Sequence, residues 1–390
     1  PQGGRNPLAL AAVANPGRTT GRTLKDEFCG GRGGPAGFPP RAGPSFLEIF
    51  MIRPLAGALL IVLIGAESAA AQTPRALAAL DELRAAAGGL SDAHLREETL
   101  AGLQSRPCVR HRAGLTAADE DVILAALRAD GLMPASADGV QAEVQRLTVF
   151  PPLADGAACP ALPQPLESAP GGNAGSHHDW PGGLVDHEVF NLRLGLALAD
   201  LYEAEDGLPV DRDAVIAAVL WHDWAKALVL VWNDDGSLPP ERPIAGAGAH
   251  HVLGLAEAMA RGLPEAEILA QACAHAAPIG DDQRTVQNWL RAAAIISRTA
   301  WTVPAVPTRE CLISNAADDN WVHAEAAVHA ADAALARLAP RFGYPAADGP
   351  AYRTRLRNPM LETLGADRIK ALSDVEGDAG VERALRAAGF

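Results

Sequence analysis

The histidines of this chain are concentrated in one stretch of the sequence. Eight of its eleven histidines lie between positions 177 and 323. His222 and Asp223 are adjacent in the segment LWHDWAK, directly after the apolar run AVIAAVL. Burying two ionisable groups at the end of an apolar helix is costly unless something compensates them. A divalent cation binds both imidazole and carboxylate, so the sequence predicts a metal site that contains this pair.

Further segments of the same region supply residues with metal-binding chemistry. They are HHDWPGGLVDH from His177 to His187, HHVLG from His250 to Gly254, ACAHAAP with His275, and NAADDNW with Asp318 and Asp319. Any one of these histidines, taken alone, is more typical of a hydrogen-bonded core or surface residue. The ordered series of H, HD, H, H and D indicates a metal centre assembled from several helices.

Two adjacent aspartates are candidates for the last acidic ligand. If Ser314, Ala317 and Val328 belong to the buried stripe of a helix, an advance of roughly 100° per residue places Asp318 at the edge of that stripe. Asp319 then lies on the far side. We therefore prefer Asp318 and keep Asp319 as the alternative.

The order and spacing of these segments resemble the HD-domain metal-dependent phosphohydrolases, especially their exoribonuclease-like branch. HHDWPGGLVDH and LWHDWAK are similar to the HHxxxGGLxxH and LHDxGK segments of that family. HHVLG is similar to its HxVLG segment, and ACAHAAP to the paired-histidine segment that follows. The resemblance covers roughly residues 176 to 325. It implies a helical bundle whose histidines and aspartates surround a mononuclear or binuclear metal centre.

The resemblance also implies a role for each residue of the site. The first metal ion would be held by His187, His222, Asp223 and the late acidic residue, and the second by His250 and His275, with Asp223 as the bridging ligand. Lys226 resembles the family lysine that contacts substrate phosphate, and on a continuous helix it would share a face with His222. His177 and His178 either border the substrate site or form a polar loop.

Two departures from the family pattern bear on the metal content. Ala225 replaces the family glycine between HD and lysine, which is a mild change. Ala276 replaces the second histidine of the paired-histidine segment, which would weaken or remodel the second site. We therefore expect one or two divalent metal ions, drawn from Mn, Fe, Zn, Ni, Co or Mg.

The resemblance implies hydrolysis of a phosphoester, with a metal-bound hydroxide as nucleophile and a small phosphorylated substrate such as a nucleotide. Two alternatives use the same residues. One is an HD-type di-iron oxygenase, and the other is a non-catalytic binding module stabilised by metal. The net charge of −14 and the pI of about 5.2 argue against a general nucleic-acid binder.

Helical periodicity extends over most of the chain from Thr73 onward, and only 5% of the residues are aromatic. The sequence predicts an all-α fold. We expect an N-terminal helical subdomain at 72–147, a linker at 148–173, the metal-binding domain at 174–340, and a C-terminal tail at 341–390 with one surface helix. The predicted helices span 74–87, 91–104, 117–130, 183–205, 211–231, 247–261, 264–276, 282–300 and 308–338.

The segment before this region has the composition of a leader. Residues 1–50 are rich in Gly, Pro and Arg, and we expect them to be disordered and outside the native product. Met51, Arg53 and an apolar run at 55–65, followed by small residues up to Ala71, have the layout of a signal peptide at 51–71. We expect cleavage after Ala71 and a periplasmic or secreted product, with an uncleaved anchor as the alternative. No later segment offers the roughly 20 apolar residues of a membrane helix.

The cysteines divide into three groups. Cys29 lies in the segment that we exclude from the native product. Cys108 and Cys159 flank the region before the histidines, and we predict that they are close enough to pair in an oxidising compartment. Cys273 and Cys311 lie in Ala-rich helical stretches and are interpreted as buried small hydrophobic residues.

Overall fold

The computed structural model describes residues 73–136, 138–153, 158–319 and 324–390. In these ranges the helices are connected by loops, and the extended structure is limited to one short hairpin and an isolated bridge between Cys108 and Ala161, so the predicted all-α fold is confirmed. The predicted disordered segment 1–50 and the predicted signal peptide 51–71 lie outside the described residues.

The first group of helices comes from residues 74–149. It consists of α1 (Pro74–Gly88), α2 (Ala93–Gly102), α3 (Ala117–Ala129) and α4 (Gly139–Val149). The side chain of Thr116 accepts a hydrogen bond from the Asp119 amide, and the Asp119 carboxylate accepts one from the Thr116 amide. This capping box fixes the start of α3 at the position that the sequence predicted. Helix α4 was not predicted.

The second group carries the histidine-containing segments. It consists of α5 (Gly183–Asp206), α6 (Arg212–His222), α7 (Lys226–Val229), β1 (Pro243–Ile244), β2 (Ala247–Gly248), α8 (Ala249–Ala260), α9 (Glu265–Ala272), α10 (Asp282–Ser297) and α11 (Arg309–Asp318). The strands pair antiparallel, with Pro243 opposite Gly248 and Ile244 opposite Ala247. Positive φ values at Ala245 and Gly246 form the tight turn between them.

Two long predicted helices are shorter in the structure. The helix predicted at 211–231 ends at His222, because the amides of Trp224 and Lys226 each bond to the carbonyl three residues back, on Trp221 and Asp223, and form turns. The helix predicted at 308–338 has two described parts, α11 and α12 (Ala324–Leu338), with residues 320–323 outside the described ranges. The first interruption removes the continuous helix face that would have placed Lys226 beside His222.

One hydrophobic core includes residues of both groups of helices. The clearest connection is made by two tryptophans of the LWHDWAK segment. Trp221 Nε1 donates to Thr99 Oγ1 at 3.1 Å, and Trp224 Nε1 donates to the Gly102 carbonyl at 2.9 Å. A hydrogen-bond acceptor stabilises a buried indole N–H group. Helix α2 therefore holds the residues on either side of His222 and Asp223 in place.

The segment predicted as a linker is packed into this core where it is described. Leu162, Leu166 and Ala169 are buried with the helices on both sides. The Val109 amide donates to the Pro160 carbonyl at 2.7 Å. Next to this contact, Cys108 and Cys159 form a disulfide with their Cα atoms 5.2 Å apart, so the predicted pairing is confirmed.

The C-terminal region contains more helix than the single surface helix predicted from sequence. After α12 it consists of α13 (Pro350–Tyr352), a π-helical turn (Arg353–Arg357), α14 (Asn358–Leu364) and α15 (Ala366–Ala387), the last interrupted at Gly377. These elements bury a second hydrophobic cluster. Trp180 of the HHDWPGG segment belongs to that cluster, so the C-terminal region packs directly against the segment that carries His177 and His178.

None of the helices within the described ranges is long and apolar enough to cross a bilayer.

Substitution of Gly102 tests the contact between α2 and the histidine-containing helices. A Cβ atom at Gly102 would lie 2.3 Å from Cη2 of the buried Trp221 ring, whereas one at Gly88 would meet open space. Both glycines are the last residue of a helix. We expect Gly102→Ala to lower the free energy of unfolding by about 1–3 kcal/mol, the usual cost of overpacking, and Gly88→Ala to lower it by much less. Urea denaturation measures both, and equal effects would contradict the packing described.

Candidate metal centre

Six predicted ligands are brought to one place by five separate segments of the chain. His187 lies on α5, His222 ends α6, Asp223 is in the turn after it, His250 is in the first turn of α8, His275 follows α9, and Asp318 ends α11. Most of these positions are helix termini. A residue at a helix end can reach the centre while the rest of its helix extends away, so few neighbouring side chains compete for the same space.

The carboxylate of Asp223 lies at the middle of the centre and is fully buried. Its Oδ2 atom is 3.1 Å from His187 Nε2 and 3.5 Å from His222 Nε2. Its Oδ1 atom is 3.2 Å from both His250 Nε2 and His275 Nε2. Each oxygen therefore faces a different pair of histidines, which is the arrangement of a carboxylate that bridges two metal sites.

Asp318 completes the group on the side of His187 and His222. Its Oδ1 atom is 3.0 Å from His187 Nε2 and 3.3 Å from His222 Nε2, and its Oδ2 atom is 3.0 Å from His275 Nδ1. Asp319 is exposed to solvent. Of the two candidates, the structure brings Asp318 into the centre.

Hydrogen bonds on the outer side of the imidazoles fix their orientation. His222 Nδ1 lies 2.7 Å from the Val219 carbonyl and 3.4 Å from the Glu188 carboxylate. His250 Nδ1 lies 2.7 Å from Glu241 Oε1, which also accepts from the His250 amide at 2.8 Å. Acceptors at Nδ1 hold the proton there and leave Nε2 free to bind a metal.

The donor atoms are spaced as ligands of a common ion would be. Four donors placed 2.0–2.2 Å from a tetrahedral ion are about 3.3–3.6 Å from one another. The Nε2 atoms of His187 and His222 are 3.4 Å apart. Asp223 Oδ1, His250 Nε2 and His275 Nε2 are buried in mutual contact, yet none has a hydrogen-bond partner of good geometry within the described ranges. Such atoms are costly to bury, so these residues fit a divalent cation.

Charges within the centre shift the pKa values of its members strongly. Burial opposes a charge on His222, but the carboxylates of Glu188, Asp223 and Asp318 together raise its pKa to about 10. Burial likewise opposes ionisation of Asp223, and the cations Lys226 and His222 overcome it and hold its pKa well below the usual range. The site thus favours positive charge next to ionised carboxylates, and a metal ion would compete with protons for the same atoms.

Lys226 contacts Asp223 although the two are not on one helix. Its Nζ atom donates to Asp223 Oδ2 and, at 2.6 Å, to the Gly171 carbonyl. The side chain is buried, with 7% of its surface exposed. The predicted role at the substrate phosphate would therefore fall to an ammonium group that is also bonded to the Asp223 carboxylate.

His177 and His178 lie against the centre. The His177 ring stacks on the His187 ring at a centroid distance of 5.1 Å, and the His178 ring meets the same ring edge-on at 5.3 Å. Burial, reinforced by repulsion from His187 and Lys226, lowers the pKa of His177 to about 3. Of the two positions considered for His177 and His178, the structure shows the one that borders the site. His177 is neutral in this position.

An ion pair from the C-terminal region holds this histidine segment. Arg357 Nη2 lies 2.9 Å from both carboxylate oxygens of Asp179. Asp179 Oδ2 in turn accepts from the Gly175 amide at 2.7 Å. His178 adopts a φ of 58°, which is unfavourable for a residue with a Cβ. The bidentate contact to Asp179 is one of the interactions that maintain this conformation.

A second disulfide connects the segments that carry two of the ligands. Cys273 and Cys311 are bonded, with their Cα atoms 5.2 Å apart. Both are buried, as expected, but the interpretation as unpaired hydrophobic residues is wrong, since α9 and α11 bring them together. The bond lies two residues before His275 and on the same helix as Asp318.

A cavity of about 330 Å³ opens beside the centre. Its lining includes Asn173, Glu241, the β1–β2 hairpin, His250 and His251. Glu241 belongs to the loop between α7 and β1. In the structure it orients His250 and forms one side of this opening.

Several residues of the centre were missed by the sequence analysis. They are Glu188, Asn191, Glu241 and His251. Asn191 follows His187 by one helical turn, and its Nδ2 atom donates to Asp318 Oδ1 at 3.1 Å. The spacing of four residues between His187 and Asn191, and the polar residue Glu188 in a buried helix, could have indicated from sequence that both belong to the centre. Nothing in the sequence indicated that Glu241 would reach His250, because the contact depends on the path of a loop.

Among proteins of known function, the chain is similar to a phosphodiesterase. That relative is the dihydroneopterin 2′,3′-cyclic phosphate phosphodiesterase of Methanocaldococcus jannaschii, with 36% identity over 61 residues. The similar stretch is 16% of this chain and 24% of the relative, so the chain spans about a quarter of the relative's length. No family model matches the chain, and no solved structure matches it. The match is compatible with the resemblance to HD-type phosphohydrolases.

The neighbouring aspartates at the end of α11 provide a matched test of the first metal site. Asp318 contacts His187, His222 and His275, whereas Asp319 is exposed. We expect Asp318→Asn to lose bound metal, because the amide cannot supply the negative charge, and Asp319→Asn to retain the metal content of the parent protein. Elemental analysis of protein purified without added metal measures both. Loss of metal from Asp319→Asn alone would reverse the assignment.

The two disulfides provide a second matched test. They close 51 and 38 residues, and the chain-entropy model gives each about 4 kcal/mol of stabilisation. We expect the Cys273→Ala/Cys311→Ala and Cys108→Ala/Cys159→Ala variants to lose comparable stability in urea. Only the first should also bind metal more weakly, since it frees the segments of His275 and Asp318. Equal metal affinity in the two variants would show that this bond does not support the centre.

Proposed function

We propose that this protein is a metal-dependent phosphoester hydrolase of the HD type. The observation that carries the proposal is the division of the Asp223 carboxylate between two pairs of histidines, one facing each oxygen. A buried carboxylate in this position suits two metal ions a few ångströms apart. The similarity of a 61-residue stretch to a phosphodiesterase supports the same class of reaction.

His187, His222 and Asp318 would hold one ion together with Asp223, and His250 and His275 would contribute to a second. Bound ions would lower the pKa of a water molecule and neutralise charge on the phosphoryl oxygens. The protein's own contribution is to hold the ligands in fixed orientations. Glu188 and Val219 do so for His222, and Glu241 does so for His250.

Other residues beside the centre would act on the substrate itself. Lys226 places a buried positive charge against Asp223, where it would favour negative charge that develops on a phosphoryl group. His177, which is neutral, borders the centre from the side of His187, where its ring would face a bound substrate. The adjoining cavity of about 330 Å³ is within the size range of small-molecule sites.

A small phosphodiester is the substrate class that we favour, since the relative acts on a 2′,3′-cyclic phosphate. We further propose that the protein acts outside the cytoplasm, periplasmically or as a secreted product. Two disulfides favour an oxidising compartment. N-terminal sequencing of the exported product tests the location, with a first residue at or near Gln72 as the expected result.

Metal removal and two substitutions test the proposed reaction. With bis-(p-nitrophenyl) phosphate and nucleoside 2′,3′-cyclic phosphates as probes, we expect chelation to abolish turnover and a divalent transition metal to restore it. Asp223→Ala should lose both metal and turnover. Lys226→Met should keep its metal, because an ammonium group is not a ligand, while kcat/KM falls by roughly 10²-fold, as for other positioned donors.

Matched controls remove the same functional groups from positions outside the centre. Asp234→Ala and Lys370→Met should resemble the parent protein in metal content and in kcat/KM. Hydrolysis that persists unchanged in Asp223→Ala would place the chemistry elsewhere in the protein. Loss of metal from Lys226→Met would reduce the role of that lysine to holding Asp223 in place.

A further inference from the structure

The second metal site is short of one ligand if only the predicted residues are considered. His250 and His275 share it with Asp223. Ala276 stands where the paired-histidine segment of HD-domain phosphohydrolases has its second histidine. His251 was assigned no role from sequence. It follows His250 directly and lies in the same first turn of α8.

The His251 side chain is packed against both histidines of this site. Its ring stacks on the His275 ring with the centroids 3.9 Å apart and the planes at 16°. Its centroid is 4.2 Å from that of His250. One ring nitrogen from each of the three histidines can be chosen so that all three lie within 4.8 Å of one another. Three imidazoles from two segments thus lie together, and two of them, His250 and His275, contact Asp223 Oδ1.

The environment of His251 differs from that of a histidine that only fills space. Its Nδ1 atom is buried and has no hydrogen-bond partner among the described residues. His250 Nε2 and His275 Nε2 are in the same condition. A buried nitrogen without a partner costs roughly 1–3 kcal/mol, and the three histidines that carry such atoms lie next to one another here. The Trp289 ring meets His251 edge-on at 4.9 Å and supports its orientation from the opposite side.

We infer that His251 is a ligand of the second metal ion, where it supplies the imidazole that Ala276 lacks. The site would then consist of His250, His251, His275 and Oδ1 of Asp223. His250 and His251 also line the cavity beside the centre, so this ion would face the space in which a substrate binds. This assignment rests on the metal centre of the proposed function, but it concerns metal binding and not the reaction.

Metal stoichiometry tests the inference without reference to turnover. The full-length protein, stripped by a chelator, is titrated with Zn²⁺ by equilibrium dialysis, since Zn²⁺ suits imidazole ligands. We expect two ions per chain in the parent protein and one in His251→Phe. Phenylalanine keeps an aromatic ring against His275 and Trp289 but offers no donor atom. The affinity for the second ion should fall beyond the roughly 10–100-fold that loss of a residue supporting a ligand costs.

Two further variants complete the experiment. His94→Gln removes an exposed histidine and should still bind two ions. His251→Ala is measured alongside His251→Phe, and circular dichroism identifies which variants are folded. A folded variant of either kind that binds two ions with parental affinity overturns the inference, as does a parent protein that binds one ion. If two ions bind through His251 but no phosphoester is hydrolysed, the proposed function fails and this assignment stands.

Discussion

The position of one buried carboxylate organises this structure. Asp223 has no exposed surface, and its two oxygens contact four histidines and a lysine. An ionised carboxylate is stable in such surroundings only if positive charge and hydrogen bonds replace its lost hydration. The helices that end at the centre supply them. The end of helix α6 at His222 and the tryptophan contacts to α2 both position the Asp223 carboxylate.

The ligands could be predicted from sequence because their signal is local and chemical. A histidine next to an aspartate after seven apolar residues is expensive to bury without a cation, and the order of the remaining segments restricted the choice further. Helical periodicity sufficed for the fold class and for the starts of α3 and α5. The choice of Asp318 over Asp319 followed from helical geometry, and the structure places Asp318 in the centre.

What could not be predicted depends on contacts between distant segments. Periodicity did not reveal that the helix through LWHDWAK ends at His222, because the residues that follow remain apolar. Glu241 reaches His250 through a loop, and Cys273 meets Cys311 because α9 packs against α11. His251 was overlooked because its neighbour in sequence, His250, matched the expected motif, whereas its closest ring contact is with His275 in a different segment.

The ion pair between Arg357 and Asp179 links two segments that are 178 positions apart in the sequence. During synthesis the segment that carries His177 and His178 leaves the ribosome long before Arg357 does. The left-handed backbone at His178 therefore lacks this support until the C-terminal helices have been made, although every metal ligand is already present by residue 318. The candidate ligands and the support of the segment that borders them thus come from different parts of the chain. A truncation before Arg357 would keep every candidate ligand and still remove one of the contacts that shape the border of the site.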